Sequence, residues 1–216
     1  MSNNVIKNND EIIAKKSKNL LERIPTKKNR KQVENALEFS IKMHHGQTRK
    51  SGLPFVSHCI DVANILIDWN MDHTTVVSAL LHDIVEDTEV KLSDIEEEFG
   101  SDVALLVDGV TKVENIAFRS KKHKQAENFT KLFLSLARDL RVIIIKFADR
   151  LNNMETIQYL SSKKRKEIAL ETKEIFVPLA HRLGMAQLKW KLEDLSLKCL
   201  DLRAFNGIKK KIETSS

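Results

Sequence analysis

The stretch of the sequence with the clearest chemical potential is LLHDIVEDT, residues 80–88. If it is helical, residues four apart share a face, so His82 lies over Glu86 and Asp83 lies over Asp87. Three of these four side chains are acids, and like charges so close together repel unless a cation lies between them. The spacing fits a divalent metal site, and a solvated acidic helix end would show the same spacing.

Other polar residues stand beside apolar stretches. His58 follows an apolar segment, and a lone histidine there is more often a core residue than a ligand. Asp149 follows residues 142–148, the most apolar stretch of the chain, and burying a carboxylate there is costly unless it is paired or binds a metal. Asn153 and Thr156 lie four and seven residues after Asp149, so a helix places all three on one stripe.

The order His58, His82, Asp83, Asp149 resembles that of the HD metal-dependent phosphohydrolases. Five segments narrow the resemblance to the hydrolase domain of RelA/SpoT homologues, which degrade the alarmones guanosine penta- and tetraphosphate. The resemblance covers about residues 30–200, with the segments in matching order and at similar spacing. The five are HGQTRKSG at 45–52, HDIVEDT at 82–88, VDGVTK at 107–112, KFADRLNNM at 146–154 and PLAHRLG at 178–184.

The resemblance implies a role for each matching position. One metal ion, usually manganese, would be ligated by His58, His82, Asp83 and Asp149. The acidic pair assigned to catalysis would be Glu86 and Asp87. The nucleotide would lie against Arg49, Lys50, Ser51, Asn153 and Thr156. Chemistry permits manganese without selecting it, because imidazole suits several transition metals while carboxylates favour harder ions such as Mn²⁺.

The reaction implied by the resemblance removes pyrophosphate from the 3′ position of a nucleoside that carries two pyrophosphate groups. The metal would polarise the 3′ phosphate and lower the pKa of a bound water. Glu86 and Asp87 would position that water and move protons. Family members with both activities continue into a synthetase domain, whereas this sequence ends at Ser216, so we expect a hydrolase alone.

The sequence departs from the family pattern at several positions near the expected nucleotide site. Leu53, Phe55 and Cys59 stand where the family often has Glu, Tyr and Pro. Asn152 and Glu155 stand where it often has His and Arg. The resemblance assigns no metal ligand to these positions. Because they border the expected nucleotide site, adenosine alarmones remain open as substrates beside guanosine alarmones.

Three other functions are compatible with parts of the pattern. One is an HD-type phosphatase that acts on another nucleotide such as NADPH and uses the same metal site. Another is a regulator that binds alarmones without turning them over. The last is a nucleic-acid-binding module that uses the basic N-terminal segment.

The elements that would position these residues are helices. Six glycines and three prolines make up about 4% of the 216 residues, against about 12% on average, so folds with many tight turns are excluded. Apolar periodicity predicts an all-α, single HD-domain bundle of about nine or ten helices. The predicted helices are 30–45, 57–70, 73–87, 93–99, 101–111, 127–138, 140–160, 163–181 and 186–204, with a loop at 112–126.

The predicted organisation is a basic arm or helix at 1–29, the HD hydrolase domain at 30–204 and a frayed tail at 205–216. The net charge of +6 belongs to the first segment: residues 1–31 hold nine Lys/Arg and three Asp/Glu, and the remainder holds 27 of each sign. No aromatic residue in that segment offers a stacking surface, which argues against nucleic acid as a partner.

The environment predicted for the chain is the cytoplasm. Two cysteines cannot form a disulfide framework, no apolar run reaches the roughly 18 to 20 residues of a membrane span, and the N-terminus lacks the apolar core of a signal peptide. The expected partner is a small alarmone nucleotide and no membrane, with homo-oligomer formation left open.

Overall fold

The computed structural model describes residues 2–118 and 139–215. In these ranges it contains no β-strand, and the one isolated β-bridge joins Thr48 to Pro54. The predicted all-α fold is confirmed. The α-helices are α1 (Ser2–Glu22), α2 (Lys27–Met43), α3 (Val56–Asp68), α4 (His73–Leu80), α5 (Ile84–Asp87), α6 (Leu92–Phe99), α7 (Ser101–Phe118), α8 (Arg141–Glu155), α9 (Ser162–Glu171), α10 (Val177–Arg182), α11 (Ala186–Leu200) and α12 (Leu202–Ser215). A 3₁₀ turn at Ile157–Tyr159 and a π-helical segment at Thr172–Phe176 complete the described elements.

The chain divides into two compact units, Met1–Ala148 and Asp149–Ser216. The division falls inside α8, which contributes its first eight residues to the first unit. The predicted division into segments 1–29, 30–204 and 205–216 stays a prediction. None of the described helices combines the length and the apolar character that crossing a membrane requires.

The first unit is built around α3 and α4, which pack against each other and against α1, α2 and α7. Its core is mostly aliphatic, as the low aromatic content predicts: Ile60, Leu66, Leu80 and Leu106 are all fully buried, together with Phe147. Burying each such side chain contributes about 1.5–3 kcal/mol to stability. The core therefore anchors α3, which carries the predicted ligand His58, and the end of α4, which directly precedes the predicted ligands His82 and Asp83.

The basic N-terminal segment, predicted as an arm or a helix, forms helix α1 and packs on α3. Leu20 is fully buried, and Lys16 Nζ lies 2.5 Å from Asp61 Oδ2. Just after the helix, Arg23 donates hydrogen bonds to Asn64 Oδ1 at 2.7 Å and to Asp68. Part of the excess positive charge is thus used in ion pairs with α3.

The structure corrects several predicted boundaries. Helix α7 continues to Phe118, so residues 112–118 are helical where a loop was predicted. The rest of that loop, 119–126, and the predicted helix 127–138 lie outside the described residues. The tail predicted to fray from residue 205 is helical as part of α12, whose start is capped by Asp201 Oδ1 accepting a hydrogen bond from the Ala204 amide at 2.9 Å.

Two predicted long helices are interrupted in the second unit. The helix predicted for 140–160 ends at Glu155 and is followed by the 3₁₀ turn. The helix predicted for 163–181 contains the π-helical segment Thr172–Phe176. Pro178 has no amide hydrogen to donate to the carbonyl of Glu174, four residues earlier, and such a missing bond favours a local change in helical winding.

Candidate active site

The prediction that one continuous helix spans residues 73–87 is wrong at its most important point. Helix α4 ends at Leu80 and α5 begins at Ile84, so His82 and Asp83 lie in the turn between them. His82 Nδ1 donates a hydrogen bond to the Ala79 carbonyl at 2.7 Å. A continuing helix would offer that carbonyl to the Asp83 amide, and the side chain competes with the backbone for it.

The turn brings three of the predicted metal ligands together. His82 Nε2 lies 3.0 Å from Asp83 Oδ1, and His58 Nε2 lies 3.7 Å from Asp83 Oδ2. The centres of the two imidazole rings are 5.3 Å apart. Both histidines are buried, and the Asp83 side chain is only 16% exposed. A carboxylate therefore lies between two imidazoles in a largely desolvated pocket.

This arrangement fits a divalent cation. Two ligand atoms each about 2.1 Å from a tetrahedral ion are about 3.4 Å apart. The observed separations of 3.0 and 3.7 Å lie on either side of that value. Because Nδ1 of His82 donates to Ala79, its Nε2 carries the lone pair that a metal needs, and the carbonyl fixes the ring orientation. His58, His82 and Asp83 thus form a His/Asp group that could hold a metal ion.

The fourth predicted ligand, Asp149, is the first residue of the second unit. It is 7% exposed, and its Oδ1 accepts a hydrogen bond from Asn153 Nδ2 at 2.6 Å. Within the predicted polar stripe, Asp149 and Asn153 are thus joined by a hydrogen bond. Thr156 follows the end of α8, where its hydroxyl donates to the Asn152 carbonyl at 2.9 Å. The ligand role of Asp149 and the substrate-binding roles of Asn153 and Thr156 stay predictions.

The two predicted catalytic acids lie on α5, directly after the ligand turn. Glu86 and Asp87 are both exposed, in contrast to the buried histidines. The Asp87 amide donates to the Asp83 carbonyl at 2.9 Å, so one helical turn separates the acids from a predicted ligand. This places solvent-accessible carboxylates close to the His/Asp group.

The predicted nucleotide loop is a small closed turn between α2 and α3. The Arg49 amide donates to the Leu53 carbonyl, and the Gly52 amide donates to the Arg49 carbonyl, each at 2.9 Å. Gly52 has a φ of 84°, a conformation that a residue with a side chain adopts only with strain. Ser51 and Lys50 lie at the tip of this turn, and Lys50 is exposed.

Two residues that were not predicted from the sequence, His44 and Gln47, connect this loop to the acids. Gln47 Oε1 lies 2.8 Å from His44 Nδ1, and Gln47 Nε2 donates to the Asp87 carbonyl at 2.9 Å. His44 is 3% exposed and stacks on Phe55, whose ring lies edge-on to His58. Burial lowers the pKa of His44. The only signal in the sequence was the position of Gln47 inside the matched segment HGQTRKSG.

Comparison with known proteins agrees with the fold and with the part of the chain that the sequence motifs indicate. The family described as HD domain matches residues 36–186. A probable guanosine-3′,5′-bis(diphosphate) 3′-pyrophosphohydrolase from Synechocystis sp. is 47% identical over 170 residues, which is 79% of this chain and 22% of that protein. A guanosine-3′,5′-bis(diphosphate) 3′-pyrophosphohydrolase from Haemophilus influenzae is 45% identical over 172 residues, 80% of this chain and 25% of that protein. The chain spans about a quarter of the length of these curated relatives.

The solved structure of a metazoan ortholog of SpoT, described as hydrolysing ppGpp, superimposes with a TM-score of 0.60 and 28% sequence identity. The match covers 79% of this chain and 94% of that one. The match to the family covers the loop at 44–55 and the turn at 81–83 that holds His82 and Asp83. The chain therefore belongs to the HD domain family, and the predicted resemblance to the RelA/SpoT homologues is confirmed.

Proposed function

We propose that this chain hydrolyses the 3′-pyrophosphate of alarmone nucleotides in the cytoplasm. The substrates are (p)ppGpp and (p)ppApp, and the products are pyrophosphate and GDP or GTP, or their adenosine equivalents. The observation that carries the proposal is the group His58, His82 and Asp83 with two exposed acids one turn later. The printed functions of the relatives and of the metazoan ortholog support it.

The proposed cofactor is one Mn²⁺ ion held by His58, His82, Asp83 and Asp149. When bound, the ion supplies charge neutralisation at a phosphate oxygen and lowers the pKa of a water molecule. The burial of Asp149 supports its role, because a buried carboxylate is costly unless it is paired or binds a metal. Asn153 orients the Asp149 carboxylate by donating to Oδ1.

The residues of the chain then have the following parts in the reaction. Glu86 and Asp87 orient the attacking water and accept its proton, and the same proton protonates the 3′ oxygen as the phosphorus–oxygen bond breaks. Both carboxylates are exposed, so each can contact a water molecule and exchange a proton with it. The oxygen of the water molecule becomes part of the released pyrophosphate, and the ribose is left with a 3′-hydroxyl group.

Binding of the polyanionic substrate requires positive charge and hydrogen-bond donors. In the proposed complex Arg49 and Lys50 contact the phosphates, and the Ser51 hydroxyl adds a donor at the tip of the closed loop. Asn153 on α8 and Thr156 just after the end of α8 are proposed to contact the ribose and phosphates. Leu53 and Phe55 replace residues that the family often has in this loop, so we include adenosine alarmones among the proposed substrates.

The test is a hydrolysis assay with the purified protein after chelation of metal, with and without Mn²⁺. The guanosine and adenosine tetraphosphates are compared side by side, and released pyrophosphate and monophosphate are measured separately. We expect Mn²⁺-dependent pyrophosphate release from the wild type and none from Asp83→Ala. Glu97→Ala, which removes an exposed carboxylate on α6, should retain full activity.

The outcomes separate the competing functions. Monophosphate release from NADPH without pyrophosphate release from either alarmone would replace the proposal with an HD-type phosphatase. Tight alarmone binding without turnover in Mn²⁺ would indicate a regulator. Full activity in Asp83→Ala would contradict the metal assignment.

A further inference from the structure

A thiol lies beside the proposed metal ligands. Cys59 directly follows His58 in the first turns of α3 and is fully buried. One ligand atom each from Cys59, His82 and Asp83 lies within 4.8 Å of the others. These three residues therefore bring together sulfur, nitrogen and oxygen donors in one small region of the first unit.

The surroundings of Cys59 differ from those of an ordinary core cysteine. A buried cysteine usually acts as a small hydrophobic residue. Here two side chains that can ligate a metal accompany the thiol, and the His82 ring is held in place by its bond to the Ala79 carbonyl. The chain's other cysteine, Cys199, is half-buried on α11 and donates from Sγ to the Arg165 carbonyl at 3.5 Å. It provides an internal comparison.

We propose that Cys59, His82 and Asp83 bind a thiophilic divalent cation such as Zn²⁺ through the Cys59 sulfur. The inference rests on the metal site of the proposed function and goes beyond it, because the family resemblance assigns no ligand to position 59. Thiolate is a soft ligand that favours Zn²⁺ and Co²⁺, whereas a site of imidazole and carboxylate alone also suits Mn²⁺. The thiol gives up its proton to solvent on binding, and no electron is transferred.

The consequence is a change in metal preference at one site. With the sulfur ligand, Zn²⁺ and Co²⁺ gain a bond that Mn²⁺ uses poorly. We expect the wild type to bind Zn²⁺ on the order of tenfold or more tightly than Cys59→Ala, as for other changes in the immediate environment of a metal. Mn²⁺ affinity should change by less than about threefold, because the hard ligands remain.

The first experiment follows Co²⁺ binding by optical absorption in Cys199→Ser, where Cys59 is the only thiol. A sulfur ligand produces an intense near-ultraviolet thiolate-to-cobalt charge-transfer band. We expect that band in Cys199→Ser and its loss in the double variant Cys59→Ala/Cys199→Ser. Absence of the band from Cys199→Ser, or its persistence after loss of Cys59, would overturn the proposal.

A second measurement needs no substitution in the core. X-ray absorption at the zinc edge of the wild-type protein, loaded with one equivalent of Zn²⁺, should give one sulfur scatterer at about 2.3 Å. A shell of nitrogen and oxygen alone would overturn the proposal even if Cys59→Ala failed to fold. Pyrophosphate release in Mn²⁺ is measured in parallel. Activity with Mn²⁺ but no sulfur ligation would contradict this inference and leave the proposed function standing.

Discussion

At the level of single residues, the hydrogen bond from His82 Nδ1 to the Ala79 carbonyl has the largest effect on the site. It ends α4 and turns the His82 Nε2 atom toward Asp83. A substitution that removed this imidazole would change both the backbone and the ligand set. For this reason His82 is a poor position at which to test catalysis alone, and the exposed acids on α5 are better.

We expect Glu86→Gln to bind metal as the wild type does and to lose most of its turnover. Glutamine keeps the size of the side chain and cannot accept a proton, so the loss in kcat should be on the order of 10²- to 10⁴-fold. Pyrophosphate release gives kcat, and Mn²⁺ titration gives the affinity. Glu89→Gln, at an exposed acid three residues later, is the matched control and should leave kcat unchanged. An unchanged kcat in Glu86→Gln would remove Glu86 from the mechanism.

At the level of elements, the sequence predicted the helices whose apolar spacing is continuous and missed the breaks within that spacing. Leu80, Leu81 and Ile84 are all buried, so the helical pattern continues through the turn that holds His82 and Asp83. That break comes from a bond between a side chain and the backbone, which periodicity does not record. The proximity of His58, His82 and Asp83 could be predicted, because ligand chemistry restricts the residue types that stand together at a metal site, and their role as ligands stays a prediction. The link from Gln47 to Asp87 could not, because it joins residues 40 apart.

The close approach of α7 to α8 gives a prediction about stability. A Cβ atom on Gly109 would lie 2.6 Å from Val142 Cγ2, and the Val142 side chain is buried and stiff. We therefore expect Gly109→Ala to lower the free energy of unfolding by about 1–3 kcal/mol, as for other overpacked cores. Urea denaturation followed by circular dichroism measures the change.

The control for that prediction is another helical glycine. Nothing lies within 4 Å of a Cβ atom on Gly207 in α12. Gly207→Ala should therefore raise stability by about 0.5–1 kcal/mol through helix propensity alone. If the two substitutions changed the free energy of unfolding equally, the contact with Val142 would have no effect on stability, and the prediction would be wrong.

At the level of the whole molecule, the excess positive charge gives little information about function. Residues 1–31 hold the surplus of basic residues, and α1 directs Lys16 to Asp61 on α3. Elsewhere, Arg141 connects two acids from different parts of the first unit. Its Nη2 lies 2.6 Å from Asp139 Oδ2, and its Nη1 lies 3.6 Å from Asp72 Oδ2. Lys16 and Arg141 thus form ion pairs with acids of the first unit. Because carboxylates are protonated in acid, the pairs of Arg141 make stability depend on pH.

The pKa values of both acids lie below their ordinary value. Hydrogen bonds from the Arg141 side chain lower the pKa of Asp139 and outweigh its burial. Burial raises the pKa of Asp72, but hydrogen bonds from the Thr75 amide and hydroxyl, together with the charge of Arg141, lower it by more than burial raises it. A carboxyl group of this kind stabilises the fold above its unfolded-state pKa of about 3.9. That contribution is lost as the pH falls through the folded-state pKa.

We therefore expect Arg141→Gln to be less stable than the wild type near neutral pH and equally stable in strong acid. The ion pairs are partly exposed, so the difference in the free energy of unfolding at pH 7 should be about 0.5–1 kcal/mol. It should shrink below about pH 4, as Asp139 and Asp72 become protonated in both proteins. Urea unfolding at a series of pH values measures the difference. Arg203→Gln, at an exposed arginine on α12, should show no such pH-dependent difference. If the deficit of Arg141→Gln were the same at pH 7 and at about pH 2.5, lost packing of the arginine stem would explain it, since charge pairing would have disappeared with the carboxylates.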